Sequence, residues 1–153
     1  MNALKMSGPG VIAASMLLSA APLHAEDYDP RSGMYQGDSG QNLSVLLTPL
    51  SEARYAIDIT TTVPMTGDLP GCGGGISGEL VIEAEAETAT LEVPNEGFVA
   101  SEKVSQTNQE FCRINLQFLD AYTLRMEEVS GCTYYHGAAC SFSGDVVHDA
   151  SGI

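Results

Sequence analysis

The sequence predicts an all-β domain, an antiparallel meander of about seven or eight strands that forms a small barrel stapled by disulfide bonds. Apolar and polar residues alternate with a period of two in short segments, and Gly, Pro, Asn and Asp separate these segments. No stretch shows the apolar stripe of an amphipathic helix. A two-sheet sandwich is the alternative; we favour the barrel because closure avoids an exposed edge strand.

The first half of the chain contains three alternating segments. Residues 42–50 and 54–63 are joined by a short polar link, as in a hairpin. Residues 64–75 are rich in Gly and Pro and are predicted to form a loop that contains Cys72. Residues 79–85 alternate again, which predicts a third strand.

The second half continues the pattern in four further segments. Residues 88–93 follow a tight turn, and residues 94–109 are a long polar stretch without periodicity. Residues 111–119 and 122–126 alternate on either side of a short turn, which indicates another hairpin. The last predicted strand covers residues 140–147.

The first 25 residues have the layout of a secretory signal peptide. Lys5 supplies a positive charge, residues 11–23 are apolar, and a small residue, Ala25, precedes the acidic start of the remaining chain. The apolar run is shorter than the roughly 20 residues that span a bilayer. We therefore expect the protein to be periplasmic or secreted, without a membrane anchor after cleavage.

Three further regions are predicted downstream of the leader. Residues 26–32 are polar and should form a loose N-terminal arm, residues 33–148 should form a single β domain, and residues 149–153 should be a C-terminal tail. His148 is interpreted as part of a frayed end. The length suits one hydrophobic core.

The charge of the chain is strongly negative, with 20 acidic and six basic residues and a net charge of −14. Such a field repels nucleic acid and anionic lipid, because both bind proteins through Lys and Arg. It favours a cationic partner, such as a basic exported protein. The alternative is that the charge serves solubility alone.

The four cysteines, Cys72, Cys112, Cys132 and Cys140, predict disulfide bonds, since an even count in a short exported chain is typical of a disulfide framework. We expect Cys132–Cys140, which bracket a short segment, and Cys72–Cys112; the two other pairings remain open. Paired C-x-x-C motifs are absent, so a zinc site is not predicted.

No catalytic residue, metal site or cofactor is predicted from the sequence, and we expect a protein that is not an enzyme. Residues 37–40 spell GDSG and resemble the nucleophile segment of trypsin-like serine proteases, but the one upstream histidine, His24, lies in the leader. The tetrapeptide is interpreted as a turn. A catalytic pair among the many carboxylates remains open.

The segment between Cys132 and Cys140 is the candidate recognition site. Tyr134, Tyr135 and His136 are consecutive there, and aromatic side chains on a disulfide-tied loop are stiff and amphipathic. In the alternative, one tyrosine plugs the end of the barrel and His136 is an exposed loop residue.

The last third of the chain resembles small exported bacterial β-meander domains, most of them uncharacterised and some similar to lysozyme-inhibitor-like proteins. The resemblance lies in the strand at 111–119, the Gly131-Cys132 pair, the aromatic loop and the Ser-Phe-x-Gly ending at 141–144. The sequence Ser-Gly-Met-Tyr at 32–35 is similar to their Ser-Gly-x-x-Tyr but has one residue fewer between Gly and Tyr. The resemblance assigns no inhibitory residue.

The sequence therefore supports two hypotheses for the function. The first is a non-enzymatic exported binding module, including an inhibitor of a basic hydrolase such as lysozyme; it rests on small size, acidity, disulfides and the lack of a catalytic set. The alternative is a carrier of a small apolar ligand in the barrel interior. The sequence does not predict the oligomeric state.

Overall fold

Eight antiparallel strands form one sheet in the computed structural model, which describes residues 29–37 and 41–152. The predicted signal peptide, the start of the arm and most of the GDSG turn lie outside the described residues. The strands are β1 (Gly33–Gly37), β2 (Asn42–Ser51), β3 (Arg54–Val63), β4 (Cys72–Val81), β5 (Thr88–Pro94), β6 (Phe111–Phe118), β7 (Thr123–Ser130) and β8 (Gly144–His148). Single turns of 3-10 helix occur at Cys132–Tyr134 and Asp149–Gly152.

The sheet curls into a nearly closed barrel, which confirms the predicted all-β meander. Its strand order is β4-β3-β2-β1-β8-β7-β6-β5, so β4 and β5 are the two edges. These edges pack together without a hydrogen-bonded ladder in the described chain, and we call the gap between them the seam. A Cβ atom added to Gly78 of β4 would lie 2.9 Å from Leu91 Cδ1 of β5, so side chains fill part of the seam.

The barrel interior is filled by the inward side chains of all eight strands. In the β2–β3 hairpin, Val45 pairs with Ile59 and Leu47 with Ile57, and all four are buried. Burying one such side chain stabilises the fold by roughly 1.5–3 kcal/mol. The contiguous core also includes Tyr35, Leu43, Tyr55, Ile76, Leu80, Ile82, Leu91, Cys112, Ile114, Leu116, Leu124, Met126, Cys132, Phe142 and Val146.

Strand β4 begins earlier than predicted, because Cys72 and the three glycines that follow it belong to the strand and not to a loop. Glycine carries no side chain, so this stretch has no alternation that could signal a strand. Gly74 must be glycine for a steric reason, since a Cβ atom there would collide with His136. The last strand is also shifted: it covers Gly144–His148 instead of 140–147.

The described part of the arm, residues 29–32, is packed against the barrel and is not loose. The Arg31 guanidinium donates hydrogen bonds to the backbone carbonyls of Glu83 and Ala84 and lies 5.3 Å from the ring centroid of Phe118. The Tyr35 hydroxyl donates to the Arg31 carbonyl at 3.0 Å. The arm therefore contacts the turn that joins β4 to β5.

His148 is buried in β8, so the prediction of a frayed end was wrong. Its side chain is 4% exposed and its ring packs edge-on against Tyr35, with centroids 4.7 Å apart. Nε2 lies 2.9 Å from the Ser32 carbonyl, and Nδ1 accepts a bond from the Ala150 N–H. The inward alternation of β8 continues through His148 and places the ring inside.

All four cysteines form disulfides, but the predicted pairing was wrong. The bonds are Cys72–Cys140 and Cys112–Cys132, with Cα–Cα distances of 5.9 and 4.4 Å. The β6–β7 hairpin places Cys112 beside Cys132, while the following segment runs across the end of the barrel and brings Cys140 to β4. Nearness in sequence was therefore a poor guide to nearness in space.

Disulfides fit an oxidising, exported environment. The structure contains no helix, within its described residues, that has the length and apolar character needed to cross a membrane.

Candidate functional site

The predicted recognition residues lie in a segment that crosses one end of the barrel. We call residues 131–143 the tyrosine loop, and the end of the barrel that it covers, where β4 begins and β5 ends, the tyrosine end. The loop follows β7 and precedes β8. It crosses the seam, and Tyr135 forms hydrogen bonds with both edge strands.

Tyr135 links the two edges through different groups. Its backbone carbonyl accepts a hydrogen bond from the Gly75 N–H of β4 at 3.1 Å. Its hydroxyl donates to the carbonyl of Pro94, at the end of β5, at 2.6 Å. A single antiparallel bridge between Gly74 and His136 extends the contact with β4. The tyrosine loop thus closes the seam where the sheet itself does not.

Two disulfides anchor the tyrosine loop to separate strands. Cys132 is bonded to Cys112 of β6, and Cys140 is bonded to Cys72 of β4. The loop starts at Gly131, whose φ of 75° is in the left-handed region that favours glycine. Anchoring at both ends restricts the conformations open to the aromatic residues between them.

Tyr134 is the exposed member of the predicted trio, with 52% of its surface accessible. Its ring packs edge-on against Tyr135 with centroids 5.1 Å apart. The Tyr134 hydroxyl lies 3.4 Å from a carboxylate oxygen of Glu96, on the segment that follows β5. The structure therefore places a supported aromatic ring and a carboxylate side by side at the surface.

Tyr135 is half-buried, and its phenol is partly removed from water. Burial, followed by the charge of Glu96 and the neighbouring Tyr134, raises the pKa of Tyr135 above its ordinary value. The phenol therefore stays neutral and keeps the proton that it donates to Pro94.

The His136 side chain is buried between the tyrosine loop and the barrel, contrary to the interpretation of His136 as an exposed loop residue. Its side chain is 4% exposed, and Nε2 lies 2.9 Å from Glu128 Oε2. Nδ1 lies 2.9 Å from the carbonyl of Gly137, and the ring packs edge-on against Phe142. Both ring nitrogens therefore lie next to oxygen atoms of neighbouring residues, which fixes the orientation of the ring.

Glu128 is a central residue of this end that the sequence reasoning missed. Its Oε2 atom also accepts bonds from the Ser141 hydroxyl at 3.3 Å and the Phe142 N–H at 3.2 Å. One signal was present: Glu127 and Glu128 are adjacent in β7, so strict alternation turns one of them inward. The register of β7 against β6 shifts at this point.

His136 and Ser141 do not form a serine–histidine pair, because neither ring nitrogen of His136 contacts the Ser141 hydroxyl. The Ser141 hydroxyl donates to the Glu128 carboxylate, while both ring nitrogens of His136 face other acceptors. A base must contact the hydroxyl that it activates. This cluster instead holds the tyrosine loop in place.

The segment between β5 and β6, residues 95–110, lies beside the tyrosine loop, and we call it the long loop. The Asn95 side-chain amide donates to the carbonyls of Gln109 and Gly131, and Thr133 donates to the carbonyl of Gln106. The two loops therefore form one surface. Its exposed residues include Glu96, Val99, Glu102, Lys103, Val104, Glu110 and Tyr134.

Comparisons of the chain with models of protein families, with curated proteins and with solved structures find no match. Among residues 29–37 and 41–152, no three His, Cys, Asp or Glu side chains are grouped so that they could hold a metal ion. The fold and site together define a disulfide-stapled, nearly closed β-barrel with an anchored aromatic loop across one end.

Proposed function

We propose that the protein is an exported, non-enzymatic binding module whose tyrosine end contacts a cationic exported protein. A basic hydrolase such as lysozyme is the partner class that we would test first, and inhibition is the expected effect. The observation that carries the proposal is the exposed Tyr134 ring, which is supported by Tyr135 and lies beside Glu96.

A rigid aromatic residue suits recognition for an energetic reason. Ordering a flexible side chain on binding costs about 0.5–1.5 kcal/mol, and that cost is reduced where the side chain is already held. Tyr134 lies on a loop that two disulfides and the Tyr135 contacts restrain. Tyrosines in such positions are frequent hot spots of protein interfaces.

The distribution of charge favours a cationic partner. Three arginines on the outer wall of the barrel already pair with carboxylates of neighbouring strands. The long loop carries three exposed glutamates, Glu96, Glu102 and Glu110, against Lys103. A negative surface speeds the approach of a positive protein and makes the association sensitive to salt.

The second sequence hypothesis, a carrier of a small apolar ligand, is less well supported. A ligand in the barrel would need space among the side chains that fill the interior, and these form one contiguous buried cluster. We therefore place the binding surface on the outside of the molecule.

The direct test uses the protein without residues 1–25 and a panel of exported hydrolases that includes several basic lysozymes. We expect at least one complex at low salt, reduced hydrolase activity in that complex, and weaker binding as salt rises. Acidic hydrolases of similar size serve as controls. If no basic hydrolase binds or is inhibited at low salt, the proposal is wrong.

A further inference from the structure

A cleft lies between the long loop and the tyrosine loop, next to the exposed ring of Tyr134. It has a volume of about 240 Å³. Its lining residues include Asn95, Gly97 and Gln106 of the long loop and Thr133 and Tyr134 of the tyrosine loop. No Lys or Arg is among the lining residues, so the cleft offers acceptors and an aromatic surface without a resident cation.

Asn95 provides an unsatisfied acceptor at this cleft. Its side-chain N–H groups donate to the carbonyls of Gln109 at 3.0 Å and Gly131 at 2.8 Å, which fixes the orientation of the amide. The Oδ1 atom of Asn95 is buried and has no hydrogen-bond partner within the described structure. A buried acceptor without a partner is costly. Because protein atoms cover this oxygen, its environment, and with it the amide resonance of Asn95, reports on changes in the wall of the cleft.

Glu96 and Tyr134 add a charge and a ring at the mouth of the cleft. Their side chains are 3.4 Å apart, and both are exposed. A Cβ atom added to Gly97 would contact the Tyr134 ring at 3.3 Å, so the long loop packs directly against that ring. A cation here would meet a carboxylate and an aromatic side chain together.

The cleft is held in shape by a buried asparagine. Asn108 is 6% exposed and closes the long loop with three side-chain bonds, accepting one from the Val99 N–H and donating to the carbonyls of Val99 and Lys103. The long loop is thereby organised before any partner arrives, which reduces the entropy cost of binding.

We propose that this cleft receives an arginine side chain of the partner. The guanidinium has five N–H donors in a planar group, so it can pair with Glu96 and stack on Tyr134 at once. A lysine ammonium lacks the planar face. This inference rests on the proposed function, because it names the group that the cationic partner presents.

The test uses isotope-labelled protein and three short capped peptides, Gly-Arg-Gly, Gly-Lys-Gly and a form in which neutral citrulline replaces the arginine. We expect the arginine peptide to shift the side-chain amide resonances of Asn95 and the backbone amide of Tyr134 at millimolar concentration. The citrulline peptide should leave them unchanged. Absence of shifts with the arginine peptide, or equal shifts with either other peptide, overturns the proposal.

Matched variants locate the site. Tyr134→Ala and Glu96→Gln should each weaken binding of the arginine peptide about threefold. Tyr122→Ala and Glu87→Gln replace an exposed tyrosine and an exposed glutamate at the opposite end of the barrel and should not change it. Equal weakening by the controls would overturn the assignment to this cleft.

The outcomes separate the two proposals. If a basic hydrolase binds but the arginine peptide does not perturb the cleft, the proposed function stands and this inference fails. If the arginine peptide binds at the cleft but no basic hydrolase is captured, the inference stands and the hydrolase proposal fails.

Discussion

The hydroxyl of Tyr135 donates a 2.6 Å hydrogen bond to the carbonyl of Pro94, across the seam that the sheet leaves open. The Tyr135 carbonyl accepts the Gly75 N–H from the other edge. Tyr135 therefore connects β4 and β5 by hydrogen bonds at this end, in place of a ladder between the two strands. Unpaired edge strands invite aggregation, and covering them is a known way to prevent it.

At the opposite end of the seam, the N-terminal arm holds the turn between the two edge strands. There Arg31, from the N-terminal arm, donates to the carbonyls of Glu83 and Ala84 in the turn between β4 and β5. The seam is thus covered by a loop at one end and by the arm at the other. Its middle is filled by side chains such as Leu91.

The first prediction concerns the Tyr135 hydroxyl. Tyr135→Phe removes one hydrogen bond and keeps the ring, so it should lower the free energy of unfolding by about 1 kcal/mol. Urea denaturation measures this change. Tyr134→Phe is the control, because its exposed hydroxyl has one weak contact and its loss should change stability by less than about 0.5 kcal/mol. Equal losses in the two variants would contradict the role given to Tyr135.

The second prediction is a dependence of stability on alkaline pH. The pKa of Tyr135 is raised above its ordinary value of 10.0, so the folded state holds this proton more tightly than the unfolded state. Its contribution to stability is therefore complete below pH 10 and is lost as the pH rises through the raised pKa. The difference in unfolding free energy between wild type and Tyr135→Phe should shrink over that range. A difference that stays constant with pH would refute this linkage.

The third prediction tests the partly buried carboxylate of Glu128. Glu128→Gln replaces the charged acceptor of His136, Ser141 and Phe142 by an amide, and should lower the free energy of unfolding by about 2 kcal/mol. Glu127→Gln is the matched control, because Glu127 is the exposed neighbour on the same strand. Thermal or urea unfolding distinguishes them. If the two variants are equally stable, Glu128 does not hold the loop as described.

The fourth prediction concerns the disulfide pairing. No Lys or Arg follows Arg125, so trypsin leaves Cys132 and Cys140 on one peptide, whereas chymotrypsin cleaves after Tyr135 and separates them. Mass spectrometry of the non-reduced double digest should show Cys72 linked to Cys140 and Cys112 linked to Cys132. A peptide that links Cys72 to Cys112 would contradict the structure.

The strands with branched and aromatic residues were predictable from the sequence, and the glycine-rich one was not. The predicted bounds 54–63 agree with β3, and those of β2 differ by one residue at the C-terminal end. Their alternation is explicit because one face of each strand is buried. The first half of β4 is mostly glycine, so its place in the sheet depends on pairing with β3.

The candidate site was predictable as a segment but not in its internal arrangement. The composition of residues 134–136 indicated a recognition loop. In the structure, however, Tyr134 is exposed, Tyr135 bridges the two edge strands and the side chain of His136 is buried. That division depends on where the loop crosses the barrel, and this in turn depends on the Cys72–Cys140 bond. This bond does not follow from spacing along the chain, and alternation in β7 indicates that one of Glu127 and Glu128 turns inward but not which residues it contacts.

The most direct test of the central claim is the dissociation constant of a complex between this protein and a basic exported hydrolase, measured for two tyrosine variants. Tyr134→Ala should raise that constant about tenfold or more, as expected for an interface hot spot. Tyr122→Ala, at the opposite end of the barrel, should leave it within about twofold. Binding that survives Tyr134→Ala, or that is lost equally in Tyr122→Ala, would contradict the account.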